Sequence, residues 1–216
     1  MTPSEENYLK AIYQLGETSK ASISTNAIAE KMKTKPSSVA DMIKKLSDKK
    51  LILYRKYKGV SLTDVGRISA LSTLRKHRLW EVFLVEKLHF TWDEVHEVAE
   101  QLEHIRSEQL IDRLDQHLGF PRTDPHGDPI PSKDGNYKKF IKKLLSEMAV
   151  GSEGICIGVK DSSTAFLSFM DKNRIALGDK ITLLDKEEFD GSLHIKVKDR
   201  PLQISSQIAC NLYIEL

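Results

Sequence analysis

Within the first 63 residues the apolar pattern changes period once, from about 3.6 to 2, and that order of elements leaves few folds open. From Glu6 to Leu15, the residues Tyr8, Leu9, Ile12 and Leu15 recur at helical spacing. Ser24-Thr25-Asn26 then offers caps for a second helix, Ala27 to Met32, and Lys33-Thr34-Lys35 reads as a turn. Pro36 suits the first turn of a third helix with an apolar stripe of Val39, Met42, Ile43 and Leu46. Its outward face carries Ser37, Ser38, Asp41, Lys44 and Lys45. The β-prone runs Leu51 to Tyr54 and Val60 to Thr63 follow, joined by Arg55-Lys56-Tyr57-Lys58-Gly59. Helix, turn, helix and basic hairpin in this order predict a winged helix-turn-helix whose third helix fits a DNA major groove, with Lys35 and Pro36 at its start. A plain helical hairpin beside a strand pair is the alternative.

Charge is distributed in agreement with that head. The chain of 216 residues is +2 overall, but residues 1 to 80 hold 16 Lys and Arg against 7 Asp and Glu, a net +9. Residues 81 to 145 are net −4 and residues 146 to 216 net −3. A basic segment ahead of an acidic one fits a nucleic-acid-binding head on a metal-binding body, although a Lys-rich face is often only a solvated one.

The acidic segment supplies metal-ligand types at helical spacing. His96, Glu100, Glu103 and His104 stand at i, i+4, i+7 and i+8, on one helix face, and His77 and Glu81 form a second i, i+4 pair on an earlier helix. Two such faces together would offer nitrogen and carboxylate oxygen to one or two divalent ions. Solvated helix faces are the competing reading, since most Glu lie on the surface.

The sequence has no apolar run of 18 residues, and Met1 to Lys10 is too polar for a signal peptide, so a cytoplasmic protein without membrane partners is expected. Cys156 and Cys210 lack CxxC spacing and read as reduced packing residues. After helical residues 70 to 119 and a Pro-rich loop from Phe120 to Ser132, the pattern predicts a helix from Tyr137 to Met148. Short strands are then expected over 154 to 159, 165 to 170, 180 to 185, 193 to 197 and 211 to 214.

The stretches MTPSEENYLKAIYQLG, AIAEKMKTKPSSVADMIKKL, GVSLTDVGR, RKHRLWEVFL and VHEVAEQLEHI together resemble the diphtheria-toxin-repressor family of metal-dependent regulators, most closely its longer manganese-responsive members of the streptococcal type. The resemblance covers nearly the whole chain. It implies a mainly α fold with a small β barrel: a winged helix-turn-helix over residues 1 to 70, a helical metal-binding and dimerisation domain over 71 to 144, and an SH3-like domain, akin to ferrous-iron-transport protein A, over 145 to 216. It also implies a homodimer that binds double-stranded DNA at a palindromic operator and, by family default, represses metal uptake.

Carried over residue by residue, the resemblance places Glu100, Glu103 and His104 in one metal site, completed by Asn7. Manganese-type members have Asp at that position and iron-type members Met, while an Asn ligates only through its uncharged amide oxygen. Iron-type members have Cys at the position of Glu100, and oxygen there favours Mn²⁺, with Fe²⁺ as the alternative. A second group contains His77, Glu81 and His96, with Asp124 and His126 in the loop Thr123-Asp124-Pro125-His126-Gly127, and Asp161. The DNA contacts implied are Lys35, Pro36, Ser37, Ser38, Asp41, Lys44 and Lys45, with Arg55, Lys56 and Lys58 in the wing. Two rivals stay open. A metalloenzyme with a DNA-binding head would also use His and Glu, but the sequence has no HExxH, no nucleophile elbow and no spare base. A winged-helix protein answering to a partner rather than a metal would use the acidic face for docking.

Overall fold

The caps and stripes of the first 63 residues form the helices they predict. The computed structural model describes residues 1–216 except 19–21, 56–57, 137–141 and 162, together with the side chains of 92, 93 and 164. Helix α1 spans Pro3–Thr18, α2 Thr25–Lys31 and α3 Pro36–Asp48. The Ser24 side chain accepts from the Ala27 N–H and starts α2, while Pro36 occupies the first turn of α3, where its missing N–H is no loss. Leu9, Ile12, Ile28, Val39, Ile43 and Leu46 are buried in one core with Ile52, Val60, Leu71 and Leu74. Truncating Leu46 to Ala in this core costs about 2–5 kcal/mol. Strands β1 (Ile52–Arg55) and β2 (Gly59–Leu62) pair antiparallel from Ile52↔Leu62 to Arg55↔Gly59, which forms the wing. Lys56, expected at its tip, lies outside the described residues.

Helix α4 (Asp64–Leu88) follows at once, because the Thr63 hydroxyl accepts from the Gly66 N–H. A Cβ on Gly66 would stand 1.9 Å from the Leu51 carbonyl oxygen, so only glycine lets the helix start this close to the wing. Helices α5 (Trp92–Leu102) and α6 (Glu108–His117) complete the helical region. The chain divides into two compact units. The first comprises Met1–Arg78, Glu100–Ile111 and Pro131–Tyr137; the second comprises Leu79–Ala99, Asp112–Ile130 and Lys138–Leu216.

The second unit contains a six-stranded antiparallel sheet in the order β3-β8-β4-β5-β6-β7, built from Lys143–Leu144, Leu212–Glu215, Glu153–Val159, Lys180–Lys186, Leu193–Val197 and Arg200–Ile204. Cys156, Ile181, Leu183, Ile195, Leu212 and Ile214 are fully buried on it. The expected barrel is corrected here: the sheet is open. Its end strands β3 and β7 do not pair, since β3 runs for two residues only and β7 carries Pro201, which lacks a ladder N–H.

Three local expectations also change. Residues 165 to 170 are not a strand but part of α7 (Thr164–Lys172), started by Ser163, whose side chain accepts from the Phe166 N–H. Phe166, Leu167 and Met170 are buried at helical spacing, so the run was apolar with the wrong period for a strand. The described part of the expected helix 137 to 148 is β3 followed by a 3₁₀ turn, Leu145–Glu147. Cys156 is buried as expected, with its thiol pushed up to about 12 by burial, but Cys210 is exposed at the end of α8 (Ser206–Ala209).

Candidate metal centre and nucleic-acid interface

In the first unit, α1, α4 and the end of α5 bring acids and imidazoles together. Apolar Leu9 and Ile12 turn one face of α1 into the core, which leaves Glu6, Asn7 and Lys10 on another. Glu6 is nonetheless only 8% exposed and Lys10 6%. The Lys10 ammonium donates to Glu100 Oε1 at 2.6 Å and to both Glu103 oxygens at 2.8 and 2.7 Å. His77 Nδ1 stands 2.7 Å from Glu103 Oε2. His104 Nδ1 is 2.6 Å from Glu6 Oε2, and its Nε2 is 3.7 Å from Glu103 Oε1.

Glu103 is fully buried, a position a carboxylate occupies only when paired. Glu100 and Glu103 share the single Lys10 ammonium, while Glu6 meets His104. One ligand atom each from His77, Glu100 and Glu103 lie within 4.8 Å of one another, close enough to share one ion. The buried Oδ1 of Asn7 has no hydrogen-bond partner among the described residues, which is costly for an amide oxygen and fits a cation's ligand. The donors are hard oxygen and imidazole nitrogen, a set suited to Mn²⁺ or Fe²⁺.

A second cluster lies in the second unit. Glu81 on α4 is 1% exposed, and its Oε1 is 3.2 Å from His96 Nδ1 and 3.6 Å from His126 Nε2. Burial disfavours the charged His126, but Glu81, Asp124 and Asp128 outweigh it and hold the pKa above the ordinary histidine value. The loop that presents His126 is folded by Asp124, whose Oδ1 accepts from the N–H groups of His126 and Asp128, both at 2.9 Å. Gly127 follows with φ +83°, and a Cβ there would lie 1.5 Å from the Ile157 carbonyl oxygen. Asp161 Oδ1 accepts from the Ser163 N–H at 2.8 Å.

The structure thus brings Glu100, Glu103 and His104 together, and it also sets His77, grouped with Glu81 and His96 on the sequence, against Glu103. Glu81, His96 and His126 lie together as well. Glu6 and Lys10 were absent from the expected ligand set; nothing in an i, i+4 Glu–Lys spacing tells a buried pair from a surface one.

Lys35, Pro36, Ser37, Ser38, Asp41, Lys44 and Lys45 are all exposed on α3 or at its start, and Arg55 and Lys58 are exposed in the wing. Glu5, fully buried, ties this helix to α1: its Oε1 is 3.0 Å from Lys45 Nζ and 2.7 Å from Lys49 Nζ. The two ammonium groups, Lys49 foremost, and the Thr2 N–H bring its carboxyl down to about 2 against the opposing effect of burial.

A winged helix-turn-helix with a basic recognition face, beside a buried cluster of carboxylates and imidazoles, defines a class of DNA-binding regulator that answers to a metal. Residues 1–60 match the family described as iron dependent repressor, N-terminal DNA binding domain, and residues 63–132 its metal binding and dimerisation domain. Residues 143–216 match the FeoA domain. The HTH-type transcriptional regulator MntR of Oceanobacillus iheyensis is 34% identical over 142 residues, covering 66% of this chain and 91% of that protein. A solved manganese-dependent transcriptional repressor in complex with manganese superimposes with a TM-score of 0.83 at 34% identity, over 98% of this chain and 100% of the other. The iron-dependent repressor IdeR of Mycobacterium tuberculosis is 34% identical over 148 residues, 68% of this chain; the chain spans 59% of that relative's length.

The chain belongs to the iron-dependent repressor family of metal-dependent transcriptional regulators, the family of the diphtheria toxin repressor. These relatives are regulators and repressors by name, so the metalloenzyme alternative is set aside. No helix among the described residues is long and apolar enough to cross a membrane.

Proposed function

We propose that the protein is a homodimeric, Mn²⁺-activated repressor of metal-uptake genes that acts in the cytoplasm on a palindromic operator. Its functional domains are residues 1–70, 71–144 and 145–216. The observation that carries this reading is the buried cluster of carboxylates and imidazoles joining α1 to α4 and the end of α5, with Asn7 Oδ1 an acceptor that has no donor among the described residues. Asn7, Glu100, Glu103, His77 and His104 are the ligands of one site. Glu81, His96 and His126 belong to a second, together with Asp124 and Asp161.

Bound Mn²⁺ would supply a divalent charge that these donors share. Glu103 and His104 thereby hold α1 more firmly against the end of α5. Glu5, adjacent to Glu6, carries the constraint to Lys45 and Lys49, hence to the recognition helix. If the donors favour one arrangement of the heads by about 3 kcal/mol, operator affinity changes roughly 150-fold. Lys35, Pro36, Ser37, Ser38, Lys44 and Lys45 hold DNA mainly at phosphates, Asp41 accepts from a cytosine amino group, and Arg55, Lys56 and Lys58 hold phosphate from the wing.

Binding to the protein's own promoter region, titrated with each divalent ion in turn, tests this. Mn²⁺ is expected to activate at least as fully as Fe²⁺, and Zn²⁺, which prefers four tetrahedral ligands, to bind but activate poorly. Strong anaerobic activation by Fe²⁺ with Mn²⁺ silent would replace the manganese reading with an iron one.

A further inference from the structure

We infer that Lys10 is a built-in competing cation: its ammonium holds the carboxylates of the metal site until an ion displaces it, and so sets how much metal the protein needs. This rests on the metal-site reading above. Lys10 Nζ lies 2.6–2.8 Å from three carboxylate oxygens, one of Glu100 and both of Glu103. Its side chain is 8% exposed and that of Glu103 is 0%, so this is a buried pair and not a surface one.

An ammonium and a divalent ion cannot both take the two Glu103 oxygens. Each wants the same lone pairs, and their charges repel in a site where solvent screens little. Removing the Lys10 charge therefore frees the acids for the ion. In the metal-free protein, the same removal leaves Glu103 buried with less compensating charge, which destabilises it. Lys10 has a route out: Glu100 is 34% exposed on its side chain, and the flexible lysine stem can follow that rim toward water.

The pairing also gives the site a threshold. A weakly held ion that cannot outcompete the ammonium leaves the acids paired, whereas an ion that binds oxygen and imidazole together through His77 and His104 displaces it. The lysine thus raises the threshold for every ion by removing the cheapest part of the binding, simple charge neutralisation.

The test is Lys10→Met, which keeps the aliphatic stem and removes the charge, measured in the full chain beside the wild type. Isothermal titration with MnCl₂ reads affinity, and thermal melting with and without MnCl₂ reads the consequence for the fold. The expected result is Mn²⁺ binding at least about tenfold tighter in the variant, a lower melting temperature without metal, and a larger rise on adding it. Lys10→Arg, which retains the positive charge, is expected to stay near or below wild-type affinity. Unchanged or weaker Mn²⁺ binding in Lys10→Met, with the wild type binding normally, would overturn the inference and leave the metal site standing. If the wild type itself binds no Mn²⁺, both readings fall together. Should the variant fold only when metal is present, the widened gap between the two states supports the inference.

Discussion

Glu5→Gln isolates the link between α1 and the recognition helix. Glu5 Oε1 receives the Lys49 ammonium at 2.7 Å and the Lys45 ammonium at 3.0 Å. Its carboxyl falls from 4.5 to about 2, an undiscounted coupling of about 3 kcal/mol at roughly 1.4 kcal/mol per unit. The lysine side chains are 51% and 45% exposed, so solvent screening reduces this to about 1 kcal/mol. Because the folded-state pKa is depressed, the stabilisation is present above the unfolded value near 4.5 and is lost as pH falls toward 2. At pH 7 the Gln variant should melt about 2–4 °C lower than wild type. The difference should shrink steadily below pH 4.5, since protonation gives the wild type the same neutral group. Melting curves of both proteins across pH 7 to 3 measure this. A deficit of equal size at pH 3 and pH 7 would show that Gln disturbs packing rather than charge, and no deficit at pH 7 would remove the coupling altogether.

Operator affinity should fall steeply with salt, with a log-log slope several units negative, and Lys44→Ala should flatten it by up to about one unit, because each neutralised phosphate releases counterion; a slope near zero means the basic face does not contact DNA. His104→Ala should abolish metal-dependent operator binding while circular dichroism shows the fold retained, and full Mn²⁺ stimulation in that variant would sink the assignment of that face. Asn7→Asp adds a charge at the orphan acceptor and should tighten Mn²⁺ binding by about tenfold in calorimetry, whereas an unchanged affinity would place residue 7 outside the ligand set. Asn7→Met with Glu100→Cys should shift activation toward softer ions.

The head was readable because its determinants are local. Ser24 and Pro36 act within their own helices, and the stripe Val39, Ile43, Leu46 has one consistent period. The closeness of Glu100, Glu103 and His104 was also readable, although α5 ends at Leu102 and the last two stand in the turn after it. The role of Lys10 was not, because its partners are 90 and 93 residues away and helical periodicity says nothing about which distant face a lysine meets. The same limit hid the second contact of His77: grouped with Glu81 and His96 on the sequence, it also meets Glu103 in the fold. In the last 70 residues the errors have a different origin. Residues 165 to 170 form an apolar run too short for its helical spacing to stand out on the sequence, and the Ser163 cap, which decides for helix, is a single weak signal. Strand β7 was not expected; Pro201 argues against a strand everywhere except at an edge, and edge position is a property of the sheet.

That an unclosed sheet ends in these two strands bears on the protein's solubility. An exposed sheet edge offers unpaired N–H and C=O groups on which a foreign strand can grow, which is how many β proteins begin to aggregate. Here one edge is β3, only two residues long and followed by a tight 3₁₀ turn, and the other, β7, has one N–H fewer to offer at Pro201 and begins with an exposed Arg200. Neither presents a long, regular template. Replacing Pro201 and Arg200 with valines would lengthen the attractive edge, and the first sign of it would be fibrils, with the metal and DNA responses of the protein left in solution intact.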